Sequence, residues 1–257
     1  MPPKISVITV VYNNAATIED TILSVASQAC PRVEHIIIDG GSTDGTMDVI
    51  RKYTDKIAVV ESEPDRGMYD AMNKGLRLAT GDIVGFLNAD DVYADSRVLE
   101  EIVHAMETQK VDACYGDLVY VDRVNVHKTV RYWKSQPYRD GLFEKGWMPA
   151  HPTFYAKRWA YEKYGGYDLA YRRQSDFELT MRFLVVHKIK SAYIPKVLVR
   201  MRSGGASRGL WHILEGNIEA YRACRKHSLN VTPLFIAKKI LSRVPQFFHR
   251  DRFEASP

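Results

Sequence analysis

The chain has 257 residues, 46% of them apolar, and a formal charge of +5 from 36 basic and 31 acidic side chains. That is enough for one substantial core, too little charge excess for a nucleic-acid binder, and no apolar run approaches the ~20 residues that span a bilayer. Cys30, Cys114 and Cys224 are odd in number and lack metal-ligand spacing, which argues against a disulfide framework and a structural zinc and points to a reducing cytosol.

Met1-Pro2-Pro3-Lys4 leads into an apolar run broken by Asn13 and Asn14, a poor signal peptide. Val- and Ile-rich runs at Ile5–Val11, Val33–Asp39, 57–61 and 82–88 read as strands. Between them, 17–28, 44–53 and 67–79 read as helices, because Ile18, Ile22 and Val25, or Met68, Met72 and Leu76, recur at helical spacing. The alternation predicts an α/β fold, a mostly parallel sheet flanked by helices. Thr17 and Asp20 make a capping-box pattern, and Asp44 is placed to cap the second helix. Past Asp91 the rhythm becomes mixed. A helix at 96–107 precedes strands at Ala113–Val121 and 126–133 and a loop rich in Gly, Pro and Trp; helices at 156–164 and 175–187, a strand at 193–201, and helices at 210–227 and 234–248 follow.

Ligands of parallel α/β sheets sit beyond the carboxyl ends of the strands. Here Tyr12-Asn13-Asn14, Asp39-Gly40-Gly41-Ser42-Thr43-Asp44, Glu61-Ser62-Glu63-Pro64-Asp65-Arg66 and Asn88-Ala89-Asp90-Asp91 follow the four strands in turn. Each alone is ordinary turn chemistry. Four in succession form an acidic rim, and clustered carboxylates repel unless a cation neutralises them; hard oxygen ligands suit Mg²⁺ or Mn²⁺ bound with substrate phosphates. Neither Gly-x-Gly-x-x-Gly after the first strand nor a P-loop occurs, which disfavours a dinucleotide oxidoreductase or a P-loop ATPase.

Lys238, Lys239, Arg243, Arg250 and Arg252 are interspersed with Leu234, Phe235, Ile236, Phe247 and Phe248. This basic tail either lies on an anionic membrane as a peripheral contact or packs on its own domain.

The runs Ser6-Val7-Ile8-Thr9-Val10-Val11-Tyr12-Asn13, Ile36-Ile37-Ile38-Asp39-Gly40-Gly41-Ser42-Thr43-Asp44-Gly45-Thr46 and Gly81-Asp82-Ile83-Val84-Gly85-Phe86-Leu87-Asn88-Ala89-Asp90-Asp91 closely resemble the family 2 glycosyltransferases of the GT-A fold, especially those of bacterial surface-polysaccharide assembly. The likeness implies a GT-A catalytic domain at 1–205, with a nucleotide-binding half of about 1–110 and an acceptor half of about 111–205, and a C-terminal helical extension at 206–257. It implies that Asp39 bonds the base, usually uracil, that Tyr12 and the backbone near Thr9 line the base pocket, and that Asp65 and Arg66 lie near ribose and diphosphate. Asp90 and Asp91 match the metal motif, with Asp90 also on the nucleotide side, although Asn88 replaces its first acid. His151-Pro152-Thr153-Phe154-Tyr155, Gly165-Gly166-Tyr167-Asp168 and Ser175-Asp176-Phe177-Glu178-Leu179 resemble the family's acceptor side, where Asp176 matches the catalytic base. The resemblance implies a nucleotide-sugar donor, Mn²⁺ or Mg²⁺, a saccharide or polyprenyl-linked acceptor, and a place in the cytoplasm at the inner face of the plasma membrane.

Ser175 and Glu178 also fit a capping box, with Glu178 the cap partner rather than the base. His151 is a candidate for donor phosphate or acceptor, and Trp133 and Trp147 for stacking on a sugar ring. Two rivals stand beside the transferase: a sugar-1-phosphate nucleotidyltransferase, and a non-catalytic glycan- or nucleotide-binding module.

Overall fold

The computed structural model of the chain describes residues 2–204 and 210–241. β1 (Ile5–Val11) and β2 (Val33–Asp39) run parallel and in register from Ile5 opposite Val33 to Val11 opposite Asp39. Both are apolar on two faces because the sheet is covered twice. Ile8, Ile36 and Ile38 pack with Met72 on one side, while Ile5, Val7 and Ile37 enter separate clusters on the other. β3 (Val59–Ser62) extends the sheet beyond β2 and β4 (Ile83–Phe86) beyond β1, both parallel, so four carboxyl ends share one edge. The crossovers are α1 (Ile18–Ala26), α2 (Thr46–Arg51) and α3 (Met68–Leu78). α3 lies so close to the sheet that a Cβ on Gly75 would come within 2.4 Å of Ile8 Cγ2.

The second half is mixed, as expected. It contains β5 (Val92–Tyr93), α4 (Val98–Thr108), β6 (Ala113–Val121), β7 (Thr129–Trp133), β8 (Tyr155–Lys157), α5 (Arg158–Tyr164), α6 (Ser175–Met181) and β9 (Ser191–Arg202). The strand order is β3-β2-β1-β4-β8-β6-β9-β5, with β7 on β6. β8 joins the halves, antiparallel to both β4 and β6, and it corrects the reading of 156–164 as wholly helical. Three residues are too few to show a two-residue period against the helix that follows. The helix expected over 175–187 ends at Met181 and continues as a π-helical turn, Arg182–Val186.

Neither capping box forms. Thr17 donates to Asn14 Oδ1 and to the Ala89 carbonyl, and Asp20 pairs with Arg202. Ser175 donates to the Asp168 carbonyl, and Glu178 is buried against Arg182 and His227. In both places a tertiary partner outcompetes the local one. Asp44 does accept from the Thr46 amide at the start of α2.

α7 (Leu210–Lys226) and α8 (Leu234–Leu241) close the described chain; 242–248 of the expected last helix, with Arg243, Phe247 and Phe248, and also Arg250 and Arg252, lie outside the described residues. Ala220, Ala223 and Cys224 of α7 and Phe235 of α8 share one apolar cluster with Phe143 and Phe177. Lys239, one of the basic residues of that tail, is 1% exposed and packs on its own domain. Its Nζ lies 3.9 Å from the centre of the Phe177 ring and donates to Gln174 Oε1, because a lysine stem buries along apolar surface when its head finds an acceptor. Among the described residues no helix is long and apolar enough to cross a membrane.

Candidate active site

The loops after β1 and β2 are sewn together. The Asn13 amide donates to Ser42 Oγ (2.8 Å) and Asn13 Oδ1 accepts from the Thr43 amide (2.8 Å). The Asn14 and Ala15 amides donate to Thr46 Oγ1 and Asp44 Oδ2. Asn13 sits at φ +48°, a left-handed conformation that asparagine tolerates, so an Asn-Asn pair suits this turn. Asp39, at the end of β2, is completely buried. Its Oδ2 accepts from the Gly41 amide (3.1 Å), the Ser42 amide (3.0 Å) and Ser62 Oγ (2.6 Å); Gly41 turns these amides back at φ +81°. Its Oδ1 is buried without a hydrogen-bond partner among the described residues. A carboxylate oxygen left so is costly unless a donor arrives from outside the chain.

Tyr12 is 66% exposed on the rim. A Cβ on Gly40 would lie 3.1 Å from Asp65 Oδ2 and 3.4 Å from the Tyr12 ring, so these three residues meet. Thr9 is fully buried with its hydroxyl on His35 Nε2 (3.0 Å), leaving only main chain for the pocket expected there. Asp65 is paired with Lys74 Nζ (2.6 Å), which also takes Glu63 (2.6 Å). Arg66 is largely exposed and reaches Asp70 (3.0 Å), whose carboxyl it holds down to about 2.

After β4 the two acids part. Asp91 is completely buried, with Oδ2 accepting from Asn88 Nδ2 (2.8 Å) and Oδ1 from the Arg202 amide (3.3 Å). Burial, then the neighbouring Asp90 charge, pushes its carboxyl well up. Asp90 is half-buried; burial raises it too, opposed by Arg202 and Arg123. Arg202, at the end of β9, fastens this loop through the Asp90 carbonyl (2.7 Å) and clamps it to α1 at Asp20.

Asp176 stands in the first turn of α6, half-buried, and Oδ1 accepts from Tyr69 Oη (3.1 Å) and from the Phe177 amide (2.8 Å). Tyr69 stacks on Tyr167 at 5.3 Å, and Tyr167 shares a hydrogen bond with His151 Nε2 (2.6 Å). His151 is therefore no free loop histidine. It lies buried against Phe86 behind Tyr167, and burial lowers its basicity. Glu178 is 1% exposed and bound to Arg182 (2.9 Å) and His227 (2.7 Å), which hold its carboxyl low against its burial. A buried carboxylate needs cationic partners, and these two supply them. Trp147 packs on Tyr115, Tyr138 and Phe143, with a buried Nε1 lacking a partner among the described residues, and Trp133 packs on two core clusters.

The structure thus brings together Tyr12, Asp39 and Asp65 on one wall, the Asn88–Asp91 loop beside them, and Asp176 across the edge through Tyr69. Tyr69, Lys74 and Arg202 join them: Arg202 ends β9 and is legible as a strand-end residue, whereas the sequence marks Tyr69 and Lys74 only as part of the helix that follows Asp65 and Arg66.

A doubly covered sheet of this order with a polar rim at its carboxyl edge is the GT-A fold of nucleotide-sugar transferases. S. aureus TarS 1–349 with UDP-GlcNAc shares it at a TM-score of 0.65 and 17% identity, over 96% of this chain and 72% of that one. The chain spans 44% of the longer TarS chain. The mannosyltransferase PcManGT of Pyrobaculum calidifontis, with GDP-Man and Mn²⁺, gives 0.65 at 21% identity, over 94% and 74%. A PGL/p-HBAD biosynthesis glycosyltransferase of Mycobacterium bovis is 30% identical over 184 residues, 70% of this chain and 69% of its own. Residues 6–168, more than half of the chain, match the model of glycosyl transferase family 2, and the chain belongs to that family.

Proposed function

We propose that the protein is an inverting glycosyltransferase that moves a sugar from a nucleotide-diphosphate donor, a UDP-sugar first among the candidates, to an acceptor hydroxyl. The fully buried Oδ1 of Asp39, without a partner among the described residues, carries this reading. Asp39 directly precedes Gly40, around which Tyr12 and Asp65 meet, so a base N–H held there would satisfy this oxygen, with Asp65 for the ribose. Thr9 contributes backbone, and Arg66 and Asp90 face the diphosphate.

Asp176 is the base. As the acceptor oxygen attacks the anomeric carbon, Asp176 takes its proton, the bond from that carbon to the diphosphate oxygen breaks, and the nucleoside diphosphate leaves with the electron pair. One in-line displacement inverts the centre. His151 and Trp147 back the acceptor side from behind rather than touching the sugar. The catalytic domain, assigned to 1–205, carries both substrates, and α7 and α8 belong to the extension assigned to 206–257, whose last residues lie outside the described ones.

Among the described residues no group of three or more His, Cys, Asp and Glu could hold a metal ion unaided. Asp90, with the neutral amide oxygen of Asn88, fits a partial shell that donor diphosphate and water complete, the usual arrangement for Mg²⁺ and the site expected of Mn²⁺. A cation bound there would neutralise charge on the departing diphosphate. For Asp91 the internal hydrogen bonds favour holding the loop over ligation.

Polysaccharide or glycolipid assembly, with a saccharide or polyprenyl-linked acceptor at the cytoplasmic face of a membrane, accords with exposed Leu234, Lys238, Ile240 and Leu241 on α8. Sedimentation with anionic vesicles at low salt tests that contact, and failure to sediment removes it. For the donor site, calorimetric titration with UDP, GDP and dTDP, each with and without Mn²⁺, is the test. One nucleotide should bind, more tightly with metal, and Asp90→Ala should remove the metal increment. No binding under any condition would favour a non-catalytic module.

A further inference from the structure

The turn that presents Asp176 is held from outside the family-matched region. Glu219 in α7 accepts three consecutive backbone N–H groups with one carboxylate. Oε1 takes the Arg172 amide (3.1 Å), and Oε2 takes those of Arg173 (2.8 Å) and Gln174 (3.1 Å). Flanking contacts fix the same turn. Arg173 Nε pairs with Glu215 Oε2 (3.0 Å), and Lys239 donates to Gln174 Oε1 (2.7 Å). A Cβ on Gly216 would lie 3.3 Å from Gln174 Nε2, so α7 passes directly over this turn.

These three amides immediately precede Ser175 and Asp176, and Gln174 is the N-cap of α6. A carboxylate facing several amides makes charge-assisted hydrogen bonds, each about twice the strength of a neutral one. Among the described residues the Asp176 carboxylate has two hydrogen bonds of its own, from the Tyr69 hydroxyl and the Phe177 amide. The path of residues 172–174 therefore sets where its carboxylate stands, and that path follows Glu219. A base displaced by about an ångström loses rate far more than binding.

Resting on the assignment of Asp176 as base, we infer that Glu219 is a positioning residue for the transfer step, acting through the backbone of residues 172–174 and touching neither substrate. The full-length Glu219→Ala and Glu219→Gln variants test this beside Asp176→Asn. Turnover is read as UDP release from UDP-N-acetylglucosamine and GDP release from GDP-mannose, with water as acceptor, since hydrolysis needs the same base. Amide hydrogen exchange over 172–176 and calorimetric UDP and GDP affinity are measured on the same samples.

Glu219→Ala should lower kcat about 30-fold, leave nucleotide affinity and donor KM within about 3-fold, and speed exchange over 172–176. Glu219→Gln, which keeps one acceptor oxygen but turns an amide NH2 toward the N–H groups the other oxygen received, should recover only part of the rate and of the protection. A rate loss matched by lost nucleotide affinity, an unchanged kcat in Glu219→Ala, or unchanged exchange would overturn the role of Glu219. An Asp176→Asn variant that turns over at the wild-type rate, or a wild-type protein that releases neither nucleotide, would instead overturn the reading on which the role rests.

Discussion

Tyr69 donates its phenolic hydrogen to Asp176 Oδ1 at 3.1 Å, across 107 positions of sequence. Tyr69 is the second residue of α3, three positions after Arg66, so the donor wall and the proposed base are one hydrogen bond apart. Tyr69→Phe keeps the ring stacked on Tyr167 and removes only this donor. We expect kcat to fall about 10-fold, the worth of one hydrogen bond to a charged group, with UDP and GDP affinity unchanged by calorimetry.

Asp39→Asn should weaken nucleotide binding by at least about 10-fold, because an amide supplies one acceptor where Asp39 uses two oxygens. One oxygen must still receive Gly41, Ser42 and Ser62, and the other must meet the base. Titration of the variant with the nucleotide that wild type prefers reads this directly. Retained affinity would move the base pocket elsewhere.

The acids after β4 should separate under substitution. Asp90→Asn should leave thermal stability near wild type and remove the metal-dependent gain in nucleotide affinity. Asp91→Ala should cost about 2 kcal/mol or more of stability, since it strands Asn88 Nδ2 and the Arg202 amide in a buried place. Calorimetry for the first and denaturant unfolding for the second check the division.

At the opposite edge of the sheet, Glu34 accepts from Lys4 Nζ, Ser6 Oγ and both the amide and hydroxyl of Thr80. Burial opposes ionisation, yet these donors hold its carboxyl down to about 2 from an unperturbed 4.5. The folded value lies below the unfolded one, so the stabilisation is fully present above about pH 4.5 and is lost as pH falls through about 2. Glu34→Gln should cost about 1–2 kcal/mol at neutral pH, after discounting for partial exposure, and the gap to wild type should close over that acid window. Urea unfolding at several pH values would show it.

The sheet was legible because each central strand is apolar on both faces and each crossover is helix-periodic, as in Ile5–Val11 and Met68–Leu78. The positions of Asp39 and Asp176 at element ends were legible for the same reason. What stayed hidden depends on partners far away in sequence. Glu178 reads as a cap partner until His227 and Arg182 reach it, and nothing near them in sequence announces the Phe177 ring beneath Lys239 or the Arg202 amide on Asp91. β8 was too short for periodicity to separate it from the helix after it.

Because Ala220, Ala223, Cys224 and Phe235 complete the same apolar cluster as Phe143 and Phe177, the helices after β9 are not an interchangeable cassette. Grafting the corresponding segment of a relative onto residues 1–204 would bring mismatched side chains into a close-packed interior beneath α6. Exchange of that segment is thereby tied to compensating changes around Phe177.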